Sequence, residues 1–249
     1  MGIWAPNCAE WVLLQYATAK AGIVLVNINP AYRSSELGYA LRQSGVRLLV
    51  SAESFKTSNY RAMVDEVRGG PDAPAQLERV VYLGSPEWEE LLAAGAGVPG
   101  EPRPAGRTGE PALSFDDPIN IQYTSGTTGF PKGATLSHHN ILNNGFFIGE
   151  VLPLHRGRTG SASRCPSTTA SAWCSATSAC TTHGACMVIP APGFEPVATL
   201  AGGAGGAVHL AVRGADHVHR RAARCPTSPP TTCRRCGPGS WPARRARSR

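Results

Sequence analysis

Tyr123-Thr124-Ser125-Gly126-Thr127-Thr128-Gly129-Phe130-Pro131-Lys132-Gly133 is the stretch on which the interpretation of this chain depends. It contains three glycines, four Ser or Thr hydroxyls and one lysine. Glycines allow left-handed backbone angles and let N–H groups approach a ligand closely, and consecutive N–H groups form a concave anion site. The hydroxyls add donors, and Lys132 adds a positive charge that strengthens hydrogen bonds to an anion. The composition therefore predicts a loop that binds polyphosphate.

The residues on either side of this loop carry patterns of regular structure. Ile119–Tyr123 alternates as a strand does, whereas Ser137 and the residues after it open a helical pattern. His138 and His139 are therefore expected to begin a helix and not to bind a metal. The loop is not of the Walker type, because G-x-x-x-x-G-K-[ST] cannot be laid over Gly126–Gly133.

Upstream of the loop, apolar periodicity predicts helices that alternate with strands. We expect helices from the N-x-x-E pair Asn7 and Glu10 to Gly22, from Ser34 or Ser35 to Gly45, at 60–67 and at 87–94. We expect strands at 23–28, 46–50 and 79–83 and a loop over 95–111. Alternation of this kind is typical of an α/β domain with a largely parallel sheet.

The pattern T-S-G-T-T-G-x-P-K-G resembles the phosphate-loop signature of the acyl-adenylate-forming (AMP-binding) superfamily, which includes acyl-CoA synthetases, luciferases and the adenylation domains of peptide synthetases. Gly2–Asn7 and Ala21–Pro30 are similar to the early part of fatty-acyl-CoA synthetases. This resemblance implies an incomplete part of the large N-terminal α/β domain, with Met1 as an internal start. It also implies that Trp4, Trp11 and Tyr39 are core residues and that Arg33 is structural.

What the resemblance implies about chemistry is a reaction in two steps. A fatty carboxylate attacks the α-phosphorus of Mg²⁺-bound ATP and releases pyrophosphate, and the thiol of coenzyme A then displaces AMP. The residues implied to bind the phosphates are Thr124, Ser125, Gly126, Thr127, Thr128, Gly129 and Lys132. No catalytic residue and no metal ligand is assigned, because a Y-G-x-T-E element, a ribose-binding aspartate and the small C-terminal domain have no counterpart here. The chain is accordingly expected to be inactive by itself. The alternatives are a non-catalytic remnant and another adenylate-forming ligase that activates aryl or amino acids.

Composition divides the chain after residue 154. Residues 1–154 carry 11 Lys and Arg against 15 Asp and Glu, a net charge of −4, whereas residues 155–249 carry 13 Arg against 2 acidic residues, a net charge of +11. Seven of the eight cysteines also lie after residue 154. We therefore predict an AMP-binding domain fragment at 1–154, an out-of-frame stretch at 155–178, a family-like remnant at 179–200 and a disordered, out-of-frame tail at 201–249.

The other sequence patterns that could suggest a function are weaker. Cys225, Cys233 and Cys236 with nearby histidines could suggest zinc, but no apolar framework surrounds them. The arginine-rich tail has no nucleic-acid-binding motif, so no specific nucleic-acid partner is predicted. The most apolar window, 11–26, contains Gln15 and Lys20 and predicts no membrane span. Since no targeting signal is visible, we expect a cytoplasmic protein.

Overall fold

The computed structural model describes residues 1–96, 113–124, 131–151, 160–162, 177–189, 191–193 and 210–211, and strands alternate with helices through most of them. The elements of the first half are β1 (Gly2–Trp4), α1 (Ala9–Lys20), β2 (Leu25–Asn27), α2 (Ser34–Ser44), β3 (Leu48–Ser51), β4 (Ser54–Phe55), β5 (Ser58–Asn59), α3 (Tyr60–Gly69), β6 (Arg79–Tyr82) and α4 (Pro86–Ala96). The later ones are β7 (Pro118–Thr124), β8 (Lys132–Ser137), α5 (His138–Val151), β9 (Gly160–Ala162), α6 (Ala179–His183), β10 (Cys186–Val188) and β11 (Leu210–Ala211).

A six-stranded sheet has the strand order β6-β3-β1-β2-β7-β8. The first five strands in that order are mutually parallel, and β8 alone runs antiparallel, to β7. Each pair of parallel strands that follow one another in the chain is joined through a helix, as a crossover connection requires. The prediction of an α/β fold with a largely parallel sheet is confirmed.

Both faces of the sheet are covered. On the front face, α1 and α4 pack Trp11, Leu14 and Trp88 against the strands, and on the back face α2 and α3 pack Leu37, Leu41 and Val64. The connections from β1 to β2 and from β6 to β7 run towards the β8 edge of the sheet and place α1 and α4 on the front face. The connections from β2 to β3 and from β3 to β6 run towards the opposite edge and place α2 and α3 on the back face, as right-handed crossovers require. Burial on both sides explains why these strands are apolar runs and not alternating ones.

Two aromatic residues fix the back layer at the carboxyl ends of the strands. Trp4 and Tyr60 are fully buried and stack with their ring centroids 3.7 Å apart and their planes 8° apart. The Tyr60 hydroxyl donates to the Pro30 carbonyl at 2.6 Å, and Trp4 Nε1 donates to the Asn29 carbonyl at 3.0 Å. These bonds tie the turn after β2 to the core, because buried polar groups require partners.

The structure corrects several local predictions. Helix α1 begins at Ala9 with Cys8 as its N-cap, and no side chain caps it, so the predicted capping box of Asn7 and Glu10 is wrong. The Asn7 N–H instead donates to the Pro192 carbonyl at 2.8 Å. Trp4 and Trp11 are core residues as predicted, but Tyr39 is only partly buried, and its hydroxyl accepts a hydrogen bond from Gln43 Nε2 at 2.9 Å.

The observed bounds of helix α2 agree more closely with the bounds predicted from the sequence. It begins at Ser34 with Arg33 as its N-cap, so the cap predicted at Ser34 or Ser35 is wrong. The Arg33 N–H donates to Glu36 Oε2 at 3.0 Å, and Gly45, with φ of 63°, follows the last helical residue, Ser44. The left-handed angle at Gly45 explains the glycine that was expected to close this helix. The Arg33 side chain donates to Ser58 Oγ at 2.9 Å, a contact that fits the structural role predicted for it.

Short elements complete the described part. Strands β4 and β5 form an antiparallel hairpin, and β10, β9 and β11 form a small parallel sheet in that order. Only residues 160–162 and 177–178 of the predicted out-of-frame stretch, and only 210–211 of the predicted disordered tail, are among the described residues. The remainder of those two predictions falls outside them.

Candidate functional site

The hairpin formed by β7 and β8 carries the loop singled out in the sequence. Thr124, the last residue of β7, pairs with Lys132, the first residue of β8, and the Thr124 hydroxyl lies 3.4 Å from the Lys132 carbonyl. The structure therefore brings together two of the seven predicted phosphate-binding residues. The other five, Ser125, Gly126, Thr127, Thr128 and Gly129, lie outside the described residues.

The loop leaves the sheet at the carboxyl end of a parallel strand. Strand β7 is parallel to β2, with Gln122 beside Asn27, so Thr124 and the turn after β2 lie at the same edge. Ligands of open α/β sheets bind at that edge. The side chains of Thr124 and Lys132 are both exposed there, and in the part of the chain that the structure describes, Lys132 forms no ion pair. A hydroxyl donor and an ammonium group thus stand on opposite strands at the two ends of the loop, an arrangement suited to binding an anion.

Close packing of β8 against β7 explains why the last residue of the motif, Gly133, is a glycine. It pairs with Tyr123, and a Cβ placed on it would lie 3.0 Å from Ile121 Cγ2 and 3.6 Å from the Tyr123 ring. A side chain at this position would press on Ile121, whereas its distance to the Tyr123 ring is an ordinary van der Waals contact. The absent side chain lets β8 lie close against β7 and so fixes where Lys132 begins its strand.

Strand β7 is also anchored from the back layer. The Tyr123 hydroxyl donates to the Ala40 carbonyl of α2 at 3.2 Å. Burial raises the pKa of this hydroxyl, so it remains a donor at neutral pH. The strand that leads into the loop is therefore held by a helix as well as by its two neighbouring strands.

On its front face, β7 carries a buried polar cluster that sequence reasoning missed. We call Gln15, Asn27, Asn120 and Gln122 the amide cluster; each of these side chains is at most 2% exposed. The signal in the sequence was present, since three of the four amides interrupt strands that are otherwise apolar. Periodicity alone could not reveal that α1 brings the fourth amide to the same place.

Two other candidate features of the sequence are the histidine pair at the start of α5 and the cysteines near the end of the chain. His138 and His139 begin α5, as predicted, and His139 Nδ1 lies 3.7 Å from an exposed Asp116 carboxylate oxygen. Among the described residues, no group of three or more His, Cys, Asp or Glu side chains is arranged to hold a metal. The cysteines at 225–236 lie outside those residues. In the described ranges, no helix is both long and apolar enough to cross a membrane.

Comparison with solved structures places the fold. The N-terminal domain of FACL13 from Mycobacterium tuberculosis superposes with a TM-score of 0.59 at 24% identity, over 78% of this chain and 44% of that one. The ATP-bound MatB from Rhodopseudomonas palustris superposes with a TM-score of 0.62 at 24% identity, over 82% of this chain and 37% of that one. Superpositions at this level of sequence identity show a shared fold.

Comparison with curated sequences gives closer relatives. The mitochondrial medium-chain acyl-CoA ligase ACSF2 of Bos taurus is 40% identical over 219 residues, which is 80% of this chain and 35% of the bovine protein. The Homo sapiens protein of the same name is 42% identical over 173 residues, 62% of this chain and 27% of that one. The chain thus spans about a third of the length of the curated relatives it matches.

A family model supplies the assignment. The model described as AMP-binding enzyme matches residues 1–202, which include the six-stranded sheet, the β7–β8 hairpin and the whole glycine- and hydroxyl-rich loop. The phosphate-loop resemblance read from the sequence, the α/β architecture and the relatives agree with this match. The chain belongs to the AMP-binding enzyme family.

Proposed function

We propose that this chain is part of an AMP-forming acid–thiol ligase, an acyl-CoA synthetase, that activates a fatty carboxylate with ATP and passes the acyl group to coenzyme A. The observation that carries the proposal is the placement of Thr124 and Lys132. They are exposed, they face each other across the ends of the T-S-G-T-T-G loop, and they lie at the edge of the sheet where ligands bind. The names of the bovine and human relatives, medium-chain acyl-CoA ligases, support the carboxylate class.

The proposed chemistry defines what the loop must do. The carboxylate oxygen attacks the α-phosphorus of ATP, the bond between that phosphorus and the bridging oxygen breaks, and the electron pair leaves with pyrophosphate. Negative charge therefore grows on the leaving group, where the Lys132 ammonium and the donors of Thr124, Ser125, Gly126, Thr127, Thr128 and Gly129 would act. Donors that are positioned in advance for such charge lower the barrier, and the loss of one costs about 10²–10³ in rate. In the second step the thiol of coenzyme A attacks the acyl carbon and AMP leaves.

Two reactants of the scheme have no assigned residues. Mg²⁺ that accompanies ATP keeps several waters and uses one or two carboxylates, and no residue of this chain was assigned to it from the sequence. No ligand for Mg²⁺ is therefore proposed among the residues of this chain. We assign coenzyme A no residue either. The expected cytoplasmic location stays a prediction, since the bovine and human relatives are named mitochondrial.

The test transplants residues 1–154 of this chain into its bovine relative, replacing the counterpart there, so that the relative supplies the rest of the enzyme. We expect the chimera to exchange labelled pyrophosphate into ATP when a medium-chain fatty acid is added. Lys132→Ala should lower the exchange rate about 10²–10³-fold and change the KM for the fatty acid much less. Lys20→Ala, at an exposed lysine that ends α1, is the matched control and should leave the rate unchanged.

Three outcomes would contradict the proposal. A folded chimera that shows no exchange with any acid would favour a non-catalytic remnant. Exchange that depends on an aryl or amino acid in place of the fatty acid would favour another adenylate-forming ligase. Equal rates for Lys132→Ala and Lys20→Ala would remove Lys132 from the phosphate site.

A further inference from the structure

The amide cluster lies between α1 and the front face of strands β2 and β7. Asn27 and Gln122 are paired in the parallel register of those strands, and Asn120 precedes Gln122 by two residues on the same face. Side chains at such positions lie about 5–7 Å apart. Gln15, from the middle of α1, covers them, and it is fully buried. The strand register and this helix thus place four buried side-chain amides between α1 and the sheet, within an apolar layer.

Most of the cluster is bonded internally. Asn120 Nδ2 donates to Gln15 Oε1 at 2.8 Å, and Trp11 Nε1 donates to Asn27 Oδ1 at 3.2 Å. Asn27 Nδ2 lies 3.5 Å from both Gln15 Oε1 and Asn120 Oδ1. These contacts orient the Gln15 carboxamide, because its oxygen is the acceptor on which the two asparagine amides converge.

Among the residues that the structure describes, three buried atoms of the cluster have no hydrogen-bond partner. They are Gln15 Nε2, Gln122 Nε2 and Gln122 Oε1, each enclosed by the surrounding side chains. Exchanging the side-chain nitrogen and oxygen of Gln122 would leave both atoms equally unsatisfied, since neither forms a hydrogen bond. The large majority of buried side-chain polar atoms in proteins have a partner, either protein or ordered water. Two glutamines of one cluster that both depart from this rule point to ordered water as the missing partner.

We propose that the amide cluster is a buried hydration site, in which one water accepts from Gln15 Nε2 and donates to Gln122 Oε1 while a second accepts from Gln122 Nε2. Buried waters typically form about three hydrogen bonds, and sites that hold them are polar and offer two to four partners. The three unbonded atoms provide such partners, and the neighbouring Asn27 and Asn120 oxygens provide more. The water would couple α1 to β7 two residues before Thr124. The inference stands on the cluster alone and does not depend on the proposed function.

The direct test is magnetization transfer between water and the side-chain amides of the 249-residue chain labelled with ¹⁵N. A long-lived bound water gives NOE and ROE cross-peaks of opposite sign, and we expect such peaks at the Gln122 NH₂ group. Gln122→Met removes the amide at similar shape and assigns the peaks by their loss. The exposed Gln43 on α2 is the matched control and should show no such peaks.

Thermal unfolding of the same variants separates a bridged amide from an orphaned one. Removing an orphaned polar group is neutral or stabilising, whereas removing a satisfied one strands its partners. We expect Gln122→Met to lower the unfolding temperature by roughly 3 °C or more and Gln43→Met to leave it unchanged. Absence of the Gln122 water peaks would overturn the proposal. An unfolding temperature that stays or rises in Gln122→Met would overturn the bridging even if those peaks were present.

Discussion

Replacing Tyr60 by Phe should destabilise this protein through a single lost hydrogen bond. Tyr60 is fully buried, and its hydroxyl donates to the buried Pro30 carbonyl at 2.6 Å. Phe keeps the ring and its stacking on Trp4 but leaves that carbonyl without this donor. Stranding a buried acceptor costs about 1–3 kcal/mol. At about 2–4 °C for each kcal/mol in a chain of this size, the unfolding temperature should fall by several degrees.

Urea unfolding followed by tryptophan fluorescence measures this cost, since a lower midpoint at constant slope reports a change in stability. Tyr39→Phe is the matched control, because the Tyr39 hydroxyl bonds Gln43 near the surface and its removal should change the free energy of unfolding by no more than about 0.5 kcal/mol. Equal midpoints for the two variants would refute the reasoning.

The pH dependence gives a second check on Tyr60. Burial raises the pKa of the Tyr60 hydroxyl, so the folded state keeps its proton where the unfolded state has released it. The unfolded chain then binds fewer protons, and stability falls as pH rises. The advantage of the wild-type protein over Tyr60→Phe should therefore be complete below about pH 10 and shrink above it. An advantage that is constant through pH 11 would contradict the assignment.

Two further predictions concern packing and reactivity. A Cβ at Gly149 of α5 would overlap the His183 ring of α6 and displace it from Glu150, which it contacts at 3.0 Å, so Gly149→Ala should cost about 1–3 kcal/mol in thermal unfolding. A Cβ at the exposed helical Gly95 would meet nothing within 4 Å outside its own helix, so Gly95→Ala should instead stabilise by about 0.4–1 kcal/mol, and the reverse order would contradict this packing. Burial raises the pKa of the Cys8 thiol to about 11, so about one Cys8 side chain in a thousand is a thiolate at pH 8. Because the thiolate is the nucleophile, alkylation of Cys8 by iodoacetamide should be on the order of 100-fold slower than that of an unhindered cysteine. A rate equal to that of a short control peptide would show that the thiol is accessible.

Much of the architecture could be predicted from local patterns. Helix α2 ended at Gly45 because its left-handed angle suits glycine. The apolar runs at 23–28 and 79–83 contained β2 and β6, and the run at 46–50 covered β3 except for its last residue, Ser51. Patterns of this kind work because turn chemistry and side-chain periodicity depend on a few adjacent residues. They failed at the start of α1, where the Asn7 backbone bonds Pro192, a partner 185 positions away that no local signal reveals.

The candidate site divides in the same way. The sequence by itself determined the phosphate-loop motif, its glycines and hydroxyls, and Lys132, because a contiguous loop carries its chemistry in consecutive residues. Only the tertiary structure decided that Lys132 begins a strand opposite Thr124, that Gly133 lies close against Ile121, and that Gln15 bonds two amides of the sheet, Asn27 and Asn120. Those relations depend on strand register and on which face of β7 meets α1. Register is set by the packing of distant segments against one another, and for that reason the residues of the loop alone could not specify it.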